Sequence, residues 1–242
     1  MTGRFSIRAL SAAALLALTV GLGACGGSSD PDPSPTDTAA AGEWAISTDQ
    51  KTPEPEDARL TVDGTAVIVG NPDAEERIEI YMDFFCPHCV QLHALMHNDV
   101  GLWTGGDDVA VAYHVVDYLG PRTTHIYSAR AANLLAYVAD TDPASYLAVM
   151  DALLENKPET TTEEVTDEQL LELAREAGAT LGDDAATALA ELSYYRWVEQ
   201  STQDAAAAGI TGIPQVWVDG ARVAGEEHEQ TAELVRQAVN LP

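Results

Sequence analysis

Two cysteines lie two residues apart in the segment Cys86-Pro87-His88-Cys89. A pair with this spacing can bind a metal ion, form a static disulfide, or cycle between a dithiol and a disulfide. The segment follows a β-rich run, Ile78 to Phe84, and precedes residues with a helical apolar spacing. Pro87 is favoured as a first helical residue because it has no N–H group to leave unpaired. We therefore expect the cysteine pair at the junction of a strand and a helix.

A helix N-terminus favours the redox use of such a pair. Its unpaired N–H groups and the positive end of its dipole stabilise a thiolate at Cys86, and the thiolate is the species that attacks in disulfide exchange. We predict that Cys86 is the exposed sulfur with a low pKa and that Cys89, one turn deeper, is its resolving partner. Two roles are open for His88: it adds positive charge or a hydrogen bond to the sulfur, or it is a solvated residue at the helix start.

A zinc site is the competing use of these residue types. Cys86, Cys89, His93 and His97 have suitable donor atoms. Cys89 and His97 are eight residues apart, which is about 12 Å along a helix axis, whereas zinc needs every donor within about 2.3 Å. His93 is within reach but leaves only three ligands. We therefore predict no metal site and assign His93 and His97 to an ordinary helix face.

The histidines outside this segment are expected to be structural. His114 lies on a predicted strand, and His125 and His228 lie near predicted helix starts. None of the three has a companion nucleophile in the sequence, so we predict no catalytic role for them.

The elements before and after the cysteines complete an α/β unit. Residues Arg59 to Val69 predict a hairpin, because Asp63-Gly64 supplies the positive φ of a tight turn. Alternating apolar residues from Asp108 to Val116 predict a strand that completes a βαβ unit. Near the C-terminus, Asp219-Gly220 predicts a second hairpin, and a helix is predicted from about Glu229 to Val239.

A long helical stretch separates these two halves. From Arg122 to about Ala208 the apolar residues recur with a helical period. Thr166 and Gln169 resemble a capping box, which predicts a helix over Asp167 to Ala177. The stretch is too long for one crossover helix, which implies an inserted helical subdomain that caps one side of the core.

The first residues are typical of an export signal. A basic start with Arg4 and Arg8 precedes the apolar run Ala9 to Leu22. The sequence Leu22-Gly23-Ala24-Cys25 resembles the lipobox of bacterial lipoproteins, in which the cysteine is lipidated and the chain is cut before it. We expect residues 1–24 to be a signal peptide and Cys25 to carry the lipid. The alternative is an ordinary signal peptide with an incidental cysteine.

Residues 25–57 are predicted to be a disordered tether. They are rich in Pro, Ser, Thr, Gly and Asp, and they have too few large apolar groups to offset the entropy of ordering. Such a tether would let a lipid-anchored domain reach partners in the membrane.

Composition and charge exclude other classes of protein. The chain has 12 Lys and Arg against 39 Asp and Glu, a formal net charge of -27, so its surface repels phosphate backbones and we predict no nucleic-acid partner. An apolar segment of bilayer-spanning length occurs only at the extreme N-terminus, which argues against a polytopic membrane protein. The three cysteines are too few for a disulfide scaffold.

Three segments resemble one known family. Phe84-Phe85-Cys86-Pro87-His88-Cys89 is similar to the active-site segment of DsbA-type thiol oxidoreductases of the thioredoxin superfamily. Gly70 to Ala74 resembles the beginning of the same domain, and Thr211 to Gly220 resembles the family's segment with a cis-proline. The resemblance covers about residues 58–242 and implies a thioredoxin-like fold with a helical insertion at about 122–208.

The resemblance also implies roles for residues outside the cysteine pair. Pro214 would be the cis-proline that faces the cysteines, and the backbone of Ile213 would pair with an extended substrate. Relatives commonly bury an acid six residues before the first cysteine, but Ile80 occupies that position here. Asp83 matches a recurring Asp of the lipoprotein-like branch, where it either relays protons or caps the turn before the helix. Relatives that isomerise disulfides often have Thr where this chain has Ile213, which favours an oxidase.

These features predict an exported thiol:disulfide oxidoreductase, anchored on the outer face of the cell membrane through Cys25. It would introduce disulfides into exported proteins that carry reduced cysteines, without a cofactor. The resemblance implies re-oxidation by a quinone-linked membrane partner. Two alternatives remain: a reductase or isomerase of the same fold, and a peptide-binding module whose cysteine pair is not used in redox chemistry.

Overall fold

The computed structural model describes residues 46–239, so the predicted signal peptide and Cys25 lie outside the described residues. The strands are β1 (Leu60–Asp63), β2 (Ala66–Gly70), β3 (Glu76–Met82), β4 (Val109–Val115), β5 (Gln215–Val218) and β6 (Ala221–Val223). They form one sheet in the order β1-β2-β4-β3-β5-β6. The central pair, β3 and β4, is parallel, and every other neighbouring pair in this sheet is antiparallel.

Seven α-helices accompany the sheet within residues 46–239. They are α1 (Pro87–Gly105), α2 (Tyr127–Thr141), α3 (Tyr146–Glu155), α4 (Asp167–Glu176), α5 (Ala185–Ala190), α6 (Tyr195–Ala207) and α7 (His228–Ala238). Helix α1 connects the two parallel strands, and α2 to α6 are inserted between β4 and β5. Among these helices, none combines the length and the apolar character needed to cross a bilayer.

The local sequence signals hold in the structure. Both Asp-Gly hairpins are present, with Asp63 opposite Ala66 and Val218 opposite Ala221. The predicted capping box of α4 is confirmed, because the Thr166 hydroxyl accepts from the Gln169 N–H at 3.2 Å. In return the Gln169 side chain accepts from the Thr166 N–H at 2.8 Å. The third strand ends at Met82, two residues earlier than predicted, because the chain turns there and the Cys86 N–H bonds to the Asp83 carbonyl.

The inserted helices share a core with the sheet. Side chains of β3 and β4 that face α1 belong to one continuous buried cluster with apolar residues of α2, α3 and α4, as the predicted core stripes require. Members of this cluster include Ile78, Met82, Val111, Tyr113, Met96, Leu134, Val138, Val149, Leu153 and Leu170. The cluster fixes the start of α1 against both the sheet and the insertion.

The predicted tether is wrong for residues 46–57, the part of it that the structure describes. Its backbone is bound to the turn between α5 and α6: the Ser47 N–H donates to the Glu191 carbonyl and the Lys51 N–H to the Ser193 carbonyl, both at 2.7 Å. The Gln50 side chain donates to the Leu192 carbonyl at 3.0 Å. These bonds use backbone groups and one polar side chain, which leave no apolar pattern in the sequence, so composition alone predicted disorder. Residues 25–45 lie outside the described residues.

This docking generates a test of stability. Gln50→Ala removes two donated bonds and the one accepted from the Arg196 N–H. We expect the free energy of unfolding to fall by about 1 to 2 kcal/mol in urea titrations. Gln237→Ala is the matched control, because that amide reaches only the exposed Glu233 on its own helix. Equal stability of the two variants would contradict the docking.

Candidate active site

The cysteine pair lies where the sequence predicted it, at the start of α1. Cys86 is the N-cap residue with extended backbone angles, and Pro87 is the first helical residue. Both cysteines are free thiols. The expectation that Cys86 is exposed is wrong, because it is only 5% accessible, against 2% for Cys89. The loop before β5 covers it: the Cys86 sulfur lies 3.9 Å from the Ile213 carbonyl oxygen.

The two sulfurs have opposite acidities. The pKa of Cys86 is lowered from 9.0 to about 6, chiefly because the Cys89 thiol donates a hydrogen bond to it. Burial opposes this effect, and the backbone N–H groups of Cys89 and His88 add to it. Burial raises the pKa of Cys89, which keeps the proton. In the reduced pair, Cys86 is therefore the thiolate and Cys89 the thiol.

The His88 ring meets a partner that sequence analysis missed. Its Nδ1 atom lies 3.0 Å from Nε2 of His228, the first residue of α7. Sequence analysis assigned His228 no contact with the cysteine segment, and this ring contact supplies one. At this distance the two rings form one hydrogen bond, in which one imidazole donates an N–H and the other accepts it. The two residues are 140 positions apart, and no local pattern connects them.

Strand pairing brings Pro214 to the cysteines. Because β5 pairs antiparallel with β3, with Gln215 opposite Tyr81, the residues before β5 lie beside the turn that follows β3. The Ile213–Pro214 peptide bond is cis. The fold thus places this peptide next to Cys86, although the two segments are distant in sequence.

Asp83 is fully buried beneath the pair. Its carboxylate accepts from the Phe85 N–H at 2.8 Å, the Leu119 N–H at 2.9 Å and the Ser128 hydroxyl at 2.5 Å. Burial raises its pKa, against the effect of these bonds. Its own N–H lies 3.5 Å from the Cys89 sulfur. The bond to Phe85 holds the turn before the helix.

A second buried acid escaped sequence analysis. Asp117 follows β4 and is 7% accessible. Burial and the charge of Asp83 raise its pKa to about 7. It accepts from the Gly120 N–H at 3.0 Å and the Tyr195 hydroxyl at 3.1 Å. Nothing in the sequence distinguished Asp117 from the many acidic surface residues.

A groove opens beside Pro214. It has a volume of about 150 Å³ and extends from Pro214 along β6 to His228, and Arg222 and Glu227 are among its lining residues. Within residues 46–239, no group of three or more His, Cys, Asp or Glu side chains is arranged to hold a metal ion.

The chain belongs to the thioredoxin family, whose model matches residues 62–240. No curated protein has a significant sequence match to it. Solved structures share its thioredoxin-like fold with a helical insertion, the DsbA-like arrangement that the sequence resemblance predicted.

One similar structure is MdbA, a thiol-disulfide oxidoreductase from Corynebacterium matruchotii, with a TM-score of 0.62 and 21% identity over 78% of this chain and 93% of that one. Another is BdbD from Bacillus subtilis in its oxidised form, with a TM-score of 0.61 and 19% identity over 78% and 96%. A third is the reduced disulfide bond oxidoreductase DsbG from Mycobacterium tuberculosis, with a TM-score of 0.58 and 25% identity over 76% and 86%.

The acidity of Cys86 can be measured directly. We expect thiolate absorbance at about 240 nm in the reduced protein to rise with a midpoint near pH 6. Because folding lowers this pKa from 9.0, the thiolate stabilises the folded reduced form at high pH, and that stabilisation is lost as the pH falls through about 6. Cys86→Ser should lack the transition, and Cys89→Ala should move it to higher pH. A wild-type midpoint of 8 or above would refute the assignment.

Two substitutions distinguish the effect of the His88 backbone N–H on the Cys86 pKa from the effect of the His88 ring. His88→Pro removes the N–H that acts on the Cys86 sulfur and is tolerated in the first turn of a helix. We expect it to raise the Cys86 pKa by about 1, since a hydrogen bond to a charged group contributes roughly 1.5 to 3 kcal/mol. His88→Ala keeps the N–H and should have the smaller effect. Equal effects of both variants would assign the influence to the ring.

Proposed function

We propose that the protein is a thiol:disulfide oxidoreductase that donates its Cys86–Cys89 disulfide to exported proteins. One observation carries the proposal: a buried helix start holds a sulfur of low pKa beside a partner of raised pKa. A static disulfide or a metal site gains nothing from this asymmetry. Disulfide exchange depends on it, because a thiol of low pKa leaves faster.

The exchange proceeds in two steps. A thiolate of the substrate attacks the Cys86 sulfur of the oxidised pair, the bond between the two cysteines breaks, and Cys89 leaves and takes a proton. A second substrate thiolate then attacks the substrate sulfur of the mixed disulfide and releases Cys86 as a thiolate. The substrate loses two electrons and gains a disulfide, and the protein gains the two electrons as a dithiol.

The low pKa of Cys86 sets the direction that we propose. A stabilised thiolate stabilises the reduced form, and that makes the disulfide a stronger oxidant. The apolar side chain of Ile213, which offers no hydroxyl group beside the pair, supports an oxidase over an isomerase. We propose that the Ile213 backbone and the neighbouring groove hold an extended segment of the substrate.

The proposed location follows from the N-terminal sequence. After removal of residues 1–24, a lipid on Cys25 would hold the domain on the outer face of the cell membrane. A quinone-linked membrane oxidoreductase would re-oxidise the pair. The proposed exchange requires no cofactor, since the two sulfurs carry the electrons.

Activity is tested with a reduced protein whose folding requires disulfides. We expect the oxidised wild type to form disulfides in it and its reduction potential to lie well above the roughly -270 mV of thioredoxin. Cys86→Ser should abolish activity. Reduction of insulin together with a potential near that of thioredoxin would indicate the reductase, and no exchange in either direction would indicate the peptide-binding module.

Lipidation is tested by fractionating cells that express the full chain. The wild type should partition with membranes and show the added mass of a lipid, and Cys25→Ala should be released, because a diacyl-modified residue holds a protein at a bilayer. A released variant that still oxidises the test protein separates anchoring from catalysis. Membrane association of Cys25→Ala, with an unlipidated wild type, would show that the anchor is wrong.

A further inference from the structure

A small cavity lies directly behind Cys89. It measures about 20 Å³, and its lining includes Ile80, Met82, Cys89, His93 and Tyr113. A cavity needs about 10 to 15 Å³ to hold one water molecule, provided that polar groups line it. This cavity has the room, and Cys89, His93 and Tyr113 provide the polar groups.

Tyr113 gives the cavity its polar character. Its side chain is fully buried, and its hydroxyl has no hydrogen-bond partner within residues 46–239. Buried hydroxyl groups in proteins are almost always bonded to protein or to water. Because Tyr113 and Cys89 both line the cavity, a water molecule there would give this hydroxyl a partner next to Cys89.

His93 connects the cavity to the surface. It lies one helical turn after Cys89 on α1, and residues four apart share a helix face. Its Nε2 atom lies 2.5 Å from the Asp151 carboxylate on α3. The side chains are 11% and 40% exposed, so the pair spans from the buried cavity to solvent. A carboxylate at Nε2 fixes the N–H on that nitrogen and leaves Nδ1 free to exchange a proton.

Two other positions close to Cys89 contrast with His93. Ile80, which lines the cavity, occupies the position where relatives commonly bury an acid. The Asp83 oxygens are already occupied by Phe85, Leu119 and Ser128. His97, one turn after His93, is the other titratable group on this helix face, with its ring 5.9 Å from that of His93.

We propose that His93, held by Asp151, exchanges the proton of Cys89 with solvent through a water molecule in this cavity. When Cys89 leaves the disulfide as a thiolate, the His93 imidazolium supplies a proton. When the pair is re-oxidised, neutral His93 removes it, and the Cys89 sulfur attacks the mixed disulfide on Cys86. The inference rests on the redox use of the pair in the proposed function, but it holds for either direction of exchange.

The test follows ring closure in the reduced full chain after mixing with oxidised glutathione. The Cys86 thiolate attacks first and forms a mixed disulfide, then Cys89 loses its proton, attacks Cys86 and releases glutathione. Acid quenching and intact mass give the rates of both steps. We expect His93→Gln to slow closure at least 10-fold and to accumulate the mixed disulfide, while the first step keeps its rate.

Control and rescue variants separate proton transfer from a structural effect. His97→Gln should close at the wild-type rate. Adding Ile80→Glu to His93→Gln places a carboxyl group in the same cavity and should restore most of the lost rate, which a packing defect would not allow. Asp151→Asn tests the contact between His93 and Asp151 without changing α1, and it should also slow closure.

Closure within twofold of the wild type in both His93→Gln and Asp151→Asn would overturn the inference. So would slow closure that Ile80→Glu does not rescue. Glutathione closes the pair whatever the natural direction of exchange. If the protein fails to oxidise the test protein while closure depends on His93, the proposed oxidase function is wrong and the inference stands.

Discussion

The site depends on one proton held between two sulfurs. The Cys89 thiol donates it towards Cys86, and this bond is the largest influence on the acidity of Cys86. It requires that Cys86 precede the first helical turn and that Cys89 lie inside it. Pro87 begins that turn, and the buried cluster under α1 keeps it in place. The rest of the fold can be understood as the support for this short segment.

Asp83 ties the site to the inserted helices. Its carboxylate binds the turn before α1 through Phe85, the loop after β4 through Leu119, and α2 through Ser128. Three segments of the chain therefore meet at one buried carboxyl group. The helical insertion is thus part of the support of the active site and not only a cover for the sheet.

The sequence predicts those features that short segments determine by themselves. The Asp-Gly hairpins, the capping box of Thr166 and the helix start at Pro87 arise from backbone preferences within a few residues, and all are present. The resemblance to DsbA-type proteins further predicted that Pro214 lies near the cysteines, which no local preference could have shown.

Features that depend on tertiary contacts were missed. The meeting of His88 with His228 and that of His93 with Asp151 join separate elements, and neither residue type nor spacing indicates them. The burial of Cys86 was missed for the same reason, because a loop more than a hundred residues later covers it. The docking of residues 46–57 relies on backbone groups and on the Gln50 amide, and neither produces an apolar pattern in the sequence.

The turn of the second hairpin affects the site from the opposite end of β5. Asp219 at its tip accepts from the Arg77 N–H at 2.9 Å and donates its own N–H to the Arg77 carbonyl at 3.0 Å, at the beginning of β3. In antiparallel pairing, a slip of one residue turns every side chain to the opposite face. The two bonds between Asp219 and Arg77 therefore help to set the register of β5 against β3, and this register places Pro214 beside Cys86. The bonds at one end of the β3–β5 pair therefore fix the position of the residues at its other end, where the cysteines lie.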